Sequence, residues 1–343
     1  MRTFHANSNP TQPKQAPLNP LTLSRRNLLQ VGAATAGATL AGATLNAARI
    51  RAGLPDPTHP APAHPDPAHP DPAHPNPAHP NPAQASLDQI RRSRIRQSAC
   101  RWCYAQIPLD DLCAAGAAMG LVGIDLLQPA EYTIPQRFGL TCTMGYADAG
   151  EIARGLNRVE NHAAIEAGLR KNLPLARKAG VQRVITFSGN RDGLSDEDGL
   201  RNTIAGLKRL KPLIEDSGVM LCMELLNSRV NHPGYMADHT AWGVEVIREV
   251  DSPLIKLLYD VYHMQIMEGD LITTIQQNIA FIGHFHTGGV PGRHELNDRQ
   301  EVQWDGVMRA IADTPFQGYV AHEFLPLADP LTSLRQAVTL CAV

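Results

Sequence analysis

From residue 95 onward the chain alternates short apolar, β-branched runs with longer amphipathic stretches, and few folds accept that rhythm. The runs at 97–103, 122–127, 140–146, 183–188, 218–224, 254–260, 280–286 and 317–323 read as strands. Helical patterns fall between them at 109–119, 162–178, 199–215, 241–250, 271–278 and 304–312, and 331–339 closes the set. Repeated βα units imply a parallel sheet, and eight of them fit a closed barrel better than an open sheet. The 258 residues from Ser86 also match one barrel, whose usual size is about 250 residues. The expected fold is therefore α/β, a single (β/α)8 or TIM barrel over 86–343.

The residues ahead of it have another character. Of 27 prolines, 16 lie in residues 1–82, and the first acidic residue is Asp56. Ser24-Arg25-Arg26-Asn27-Leu28-Leu29-Gln30 precedes an Ala/Gly/Thr-rich stretch reaching about Leu45. Residues 1–48 resemble a twin-arginine export signal, which implies a translocase partner and a periplasmic or otherwise exported protein. An uncleaved signal would leave it membrane-tethered, but about 18 residues dominated by Ala, Gly and Thr are marginal for a permanent span. Over 49–85, His59, His64, His69, His74 and His79 recur in a five-residue Pro-rich repeat. Such a segment should be a disordered, polyproline-like spacer, and its threefold helix turns each His about 240° from the last, so they share no metal-binding face.

Charge narrows the function. Residues 86–343 carry 25 Lys/Arg and 30 acids, a net charge of −5, which argues against a nucleic-acid partner. The six cysteines show no spaced disulfide framework, as suits folding in a reducing cytoplasm before twin-arginine export. Cys100-x-x-Cys103 lacks the second cysteine pair of a zinc site and reads as structural.

The chemical residues sit at strand ends. Glu224 ends strand 5, Asp260 strand 6, His286 strand 7 and Glu323 strand 8. In a barrel these ends converge on one mouth, where active sites lie. Two Glu, one Asp and one His there suit one divalent ion such as Mn²⁺ or Mg²⁺. Each acid alone could simply cap the following loop; four ligand-type residues, one on each of four consecutive strand ends, favour the metal. Asp270 reads as a helix N-cap, His284 as a core partner of His286, and Lys256 as a deep residue paired with an acid.

Met223-Glu224-Leu225-Leu226-Asn227-Ser228-Arg229, Tyr259-Asp260-Val261-Tyr262-His263-Met264-Gln265-Ile266-Met267-Glu268-Gly269-Asp270 and Gly283-His284-Phe285-His286 stand in order. Val290-Pro291-Gly292-Arg293-His294-Glu295 and His322-Glu323-Phe324 follow. Together they resemble the hydroxypyruvate isomerase family of xylose-isomerase-like barrels, a group that includes ketose 3-epimerases. The resemblance spans roughly 95–325 and is most specific in its second half. It implies a metal on Glu224, Asp260, His286 and Glu323, with Glu224 and Glu323 exchanging a proton with the substrate carbon. His263 would donate to a substrate oxygen, and Arg293 would hold a carboxylate or hydroxyl. The expected enzyme is an isomerase of a small hydroxy-carbonyl compound, of the hydroxypyruvate/tartronate semialdehyde type, working through an enediolate.

A His at position 286, where many cytoplasmic isomerases of the group should carry Gln, together with the export signal, makes a periplasmic carbohydrate or oxidised sugar an equal substrate candidate. An exported ketose 3-epimerase is the alternative reading. A barrel endonuclease would need more His and a basic groove, and a non-catalytic sugar-binding barrel would lack one of the two glutamates. A homo-oligomer is compatible with all of these.

Overall fold

The computed structural model describes residues 88–343; the expected signal (1–48) and spacer (49–85) lie outside the described residues. Eight parallel strands close into a barrel in sequence order. They are β1 (Gln97–Cys100), β2 (Gly123–Leu127), β3 (Thr141–Gly145), β4 (Arg183–Thr186), β5 (Met220–Glu224), β6 (Ile255–Asp260), β7 (Ile282–Thr287) and β8 (Val320–His322). Closure runs through β1 and β8, where Gln97, Ser98 and Ala99 pair with Val320, Ala321 and His322. Nearly every strand residue is buried, as expected of strands covered by helices outside and by packed side chains within.

The outer helices are α1 (Leu109–Met119), α2 (His162–Lys178), α3 (Asp196–Ser217), α4 (Thr240–Val250), α5 (Val261–Met267), α6 (Leu271–Asn278), α7 (Trp304–Ala312) and α8 (Pro330–Leu340). Each longer helix turns an apolar stripe to the barrel; α3 buries Thr203, Leu207, Leu210 and Ile214 at helical spacing. The Ser195 hydroxyl accepts the Asp198 N–H to start α3, and Gly218 ends it at φ +70°. Among the described residues no helix is long and apolar enough to cross a membrane.

Several expectations need correction. The first strand stops at Cys100, and Arg101–Tyr104 form a 3-10 turn instead of its last residues. Strand β7 runs one residue past His286, and Glu323 lies one residue beyond β8. Among the described residues Lys256 forms no ion pair with an acid; its Nζ donates to the Ala280 carbonyl at 2.8 Å. It sits near the start of β6, so inward parity there leads away from the mouth. Asp270 holds the N-cap position of α6, but its backbone is left-handed and its side chain makes no capping bond. All six cysteines are buried and unpaired.

Candidate active site

Strand register sets the site. Asp260 pairs with His286, Glu224 with Leu258, and His286 with Ala321. Glu224 is therefore level with a residue two before Asp260, and Glu323 lies two beyond the partner of His286. Steps of two keep a strand on one face, so all four side chains point inward, staggered around the mouth.

Their donor atoms all lie within 4.8 Å of one another, and all four residues are buried. His286 Nδ1 is 2.8 Å from Glu323 Oε2 and 3.3 Å from Glu224 Oε1. Neither contact is aligned as a hydrogen bond, and both Nδ1 and Glu224 Oε1 are buried without one. Donors around a small cation with bonds of about 2.0–2.2 Å stand roughly this far apart. Two such orphaned atoms within this tight donor cluster make the set fit a divalent ion. Asp260 divides its work: Oδ1 accepts from Tyr262 N at 2.7 Å and His263 N at 3.3 Å, capping α5, while Oδ2 turns toward Arg293 Nη2, 3.4 Å away.

Arg293 is carried in by the loop after β7. Gly289 donates its N–H to His294 O at 2.9 Å; a Cβ there would lie 2.5 Å from the Glu295 carbonyl oxygen, so this loop closes only on glycine. The guanidinium lies between the rings of Trp102 and Tyr262, 5.2 and 5.3 Å from their centroids. Nε donates to Glu323 O at 3.1 Å and Nη2 to Glu323 Oε2 at 2.5 Å. Trp102, brought inward by the 3-10 turn, donates Nε1–H to Glu323 Oε1 at 2.6 Å.

These partners separate the carboxyls. Burial raises the Glu224 pKa above the usual carboxylate range, against a pull from His286. Burial would raise that of Glu323 too, but Arg293, then His286 and Trp102, hold it well below that range. Asp260 is pushed up to about 7 by burial, only partly relieved by Arg293. His263 is fully buried, and its Nδ1 accepts from Asn227 N at 3.0 Å. The ring is therefore protonated on Nε2, which has no hydrogen-bond partner among the described residues and lies 3.6 Å from Asp260 Oδ2. Burial, then Arg293, keeps this ring neutral by lowering its pKa well below the usual value.

Glu224, Glu323 and Arg293 line a cavity of about 270 Å³ together with Trp102, Tyr146, Phe187 and His232. Sequence reading missed Trp102, His232 and a further buried acid, Asp125 of β2. A lone acid in the apolar run Gly123-Ile124-Asp125-Leu126-Leu127 was the available signal for the last.

The family model for the xylose isomerase-like TIM barrel matches residues 136–338. A provisionally named hydroxypyruvate isomerase of Danio rerio is 29% identical over 123 residues, 36% of this chain and 45% of that protein. This chain thus spans under half the length of that relative. The 2-oxo-tetronate isomerase of Cupriavidus necator is 28% identical over 229 residues, 64% of this chain and 87% of that protein. An AP endonuclease, family 2, from Brucella melitensis shares the fold, with a TM-score of 0.64 at 22% identity over 70% of this chain and 96% of that one. With its closed eight-stranded barrel and a family match over more than half its length, the chain belongs to the xylose isomerase-like TIM barrel family.

Proposed function

We propose that this chain is a metal-dependent isomerase of small hydroxy-carbonyl compounds, of the hydroxypyruvate/tartronate semialdehyde type. The observation that carries the reading is a pair of buried glutamates facing one cavity, Glu323 held by Arg293 and Trp102 and Glu224 with an oxygen that has no hydrogen bond among the described residues. Isomerisation requires a proton to leave the carbon beside a carbonyl and one to reach the neighbouring carbon, while the hydroxyl proton passes to the former carbonyl oxygen. Glu323, held ionised, is suited to take the proton, and Glu224, which binds a proton more readily, to return one. His263 Nε2–H and Arg293 Nη1 would meet the oxygens of the resulting enediolate. Glu224, Asp260, His286 and Glu323 would hold one Mn²⁺ or Mg²⁺, which when bound supplies positive charge that acidifies the C–H bond. The two similar proteins named as isomerases support this class.

One observation favours a second reading, an exported ketose 3-epimerase of the same chemistry. The cavity of about 270 Å³ is larger than a three-carbon acid fills and is walled by Leu126, Ile152, Ile185 and Phe187. The net charge of −5 over 86–343 stands against a DNA substrate. Hydroxypyruvate, 2-oxo-tetronate and ketohexoses should be assayed with added Mn²⁺ or Mg²⁺ and again with chelator. Turnover of at least one, abolished by chelator, is expected. No turnover of any hydroxy-carbonyl compound in the metal-loaded protein would overturn the proposal.

A further inference from the structure

Asp125 lies inside the barrel, where a charge needs strong compensation. It is fully buried on β2, as are Cys100 on β1, Thr143 on β3 and His284 and His286 on β7. Its Oδ2 accepts from His286 Nε2 at 2.9 Å and from His284 Nε2 at 3.2 Å, with Cys100 Sγ 3.7 Å away. Its Oδ1 accepts the Thr143 hydroxyl. An apolar side chain would pack here without taking a charge out of water, so stability alone does not account for the acid. The feature that sets it apart is its place relative to the metal-ligand set. His286 turns Nδ1 to Glu224 and Glu323 and Nε2 to Asp125, so the ring stands between Asp125 and those glutamates.

We infer that Asp125 is a positioning residue: it holds the His286 proton on Nε2 and thereby presents the Nδ1 lone pair to the divalent cation. An ionised carboxylate only accepts, so the ring nitrogen facing it must donate. A neutral imidazole has one proton, and fixing it on Nε2 leaves Nδ1 as the ligand. The same contact sets the ring's rotation, and His284, also donating to Oδ2, braces the carboxylate from the side. This inference rests on the metal site proposed above. It competes with one alternative, a cation bound on the other side of the ring among Cys100, Asp125 and His286, whose donor atoms also converge within 4.8 Å.

The test uses the full protein, labelled with ¹⁵N-histidine and loaded with Zn²⁺, which is diamagnetic and accepts His and carboxylate ligands. Long-range ¹H–¹⁵N spectra, with the His286 signal identified by its loss in His286→Gln, should show Nε2 protonated and Nδ1 metal-bound. A metal-bound Nε2, or a proton on Nδ1, overturns the inference. In Asp125→Asn the amide can donate toward Nε2 and so favours the opposite tautomer. Mn²⁺ affinity measured by titration calorimetry should fall about 10–100-fold, with an unchanged circular dichroism spectrum. Affinity within twofold of the wild type overturns the inference while leaving the metal site standing. Failure of the wild type to bind Zn²⁺ or Mn²⁺ overturns the site itself, and with it this inference. If Asp125→Asn does not fold, the wild-type spectrum decides alone.

Discussion

Glu224 and Glu323 lie on either side of His286 Nδ1, at 3.3 and 2.8 Å, and their surroundings drive them apart. Glu224 keeps an oxygen with no hydrogen bond, whereas both oxygens of Glu323 are held, one by Trp102 and the other by Arg293. The same side chain is thus tuned to two proton affinities within one cavity.

Trp102→Phe should expose that tuning. The ring and its stacking on Arg293 remain, but the donor to Glu323 is lost. Removing a bond to the charged form raises the carboxyl pKa, so the Glu323 carboxyl, followed by ¹³C NMR, should titrate up to about one unit higher than in the wild type. An unchanged Glu323 titration would show that Trp102 does not set its ionisation.

Metal occupancy should depend on Asp260 and His286. Asp260→Asn keeps an acceptor for the Tyr262 and His263 N–H groups, so its folding cost should stay near 1 kcal/mol. Asp260→Asn and His286→Ala should each bind markedly less metal by native mass spectrometry, with the fold kept by the barrel core. Full occupancy in both would place any ion elsewhere.

Acid should destabilise the barrel partly through His322. This fully buried ring contacts Thr287 Oγ1 and Gln97 Oε1, and burial lowers its pKa to about 3. The unfolded chain binds a proton near pH 6.5 and the folded one resists it, so this stability is present above pH 6.5 and lost as pH falls toward 3. The full loss is of the order of 4–5 kcal/mol. Asp260, raised to about 7, acts with the opposite sign between about pH 4 and 7. The measurement is therefore the difference between wild type and His322→Gln in urea melts at pH 7 and pH 4.5. The variant should lose less on acidification; equal losses would assign the acid sensitivity to other groups.

The leader reading makes its own prediction. Replacing Arg25 and Arg26 by Lys should leave the protein in the cytoplasm, and a chain starting near Ser86 should still fold and bind metal. Unchanged export, or an unfolded barrel, would overturn the respective boundary.

The barrel was legible because covered strands show as apolar runs and because Glu224, Asp260 and Glu323 interrupt those runs at their ends. What was not legible depends on contacts across the barrel. Asp125 looks like one polar residue in a short strand until β7 brings His284 and His286 to it. Trp102 was hidden because 97–103 has strand composition, and only the turn after Cys100 brings the indole to Glu323. Parity placed Lys256 on the inner face but not at which end, and there a backbone carbonyl takes the place of an acid.

The central claim is proton transfer through the glutamate pair, and the most direct measurement is the reaction of a turned-over substrate in D₂O. Deuterium should appear at the carbon that receives hydrogen, because a proton held on a carboxylate exchanges with solvent. Glu224→Gln and Glu323→Gln should each lower turnover on the order of 10²–10⁴-fold without unfolding. Product formed with no deuterium at that carbon would mean that hydrogen passes directly between carbons, and would contradict the account.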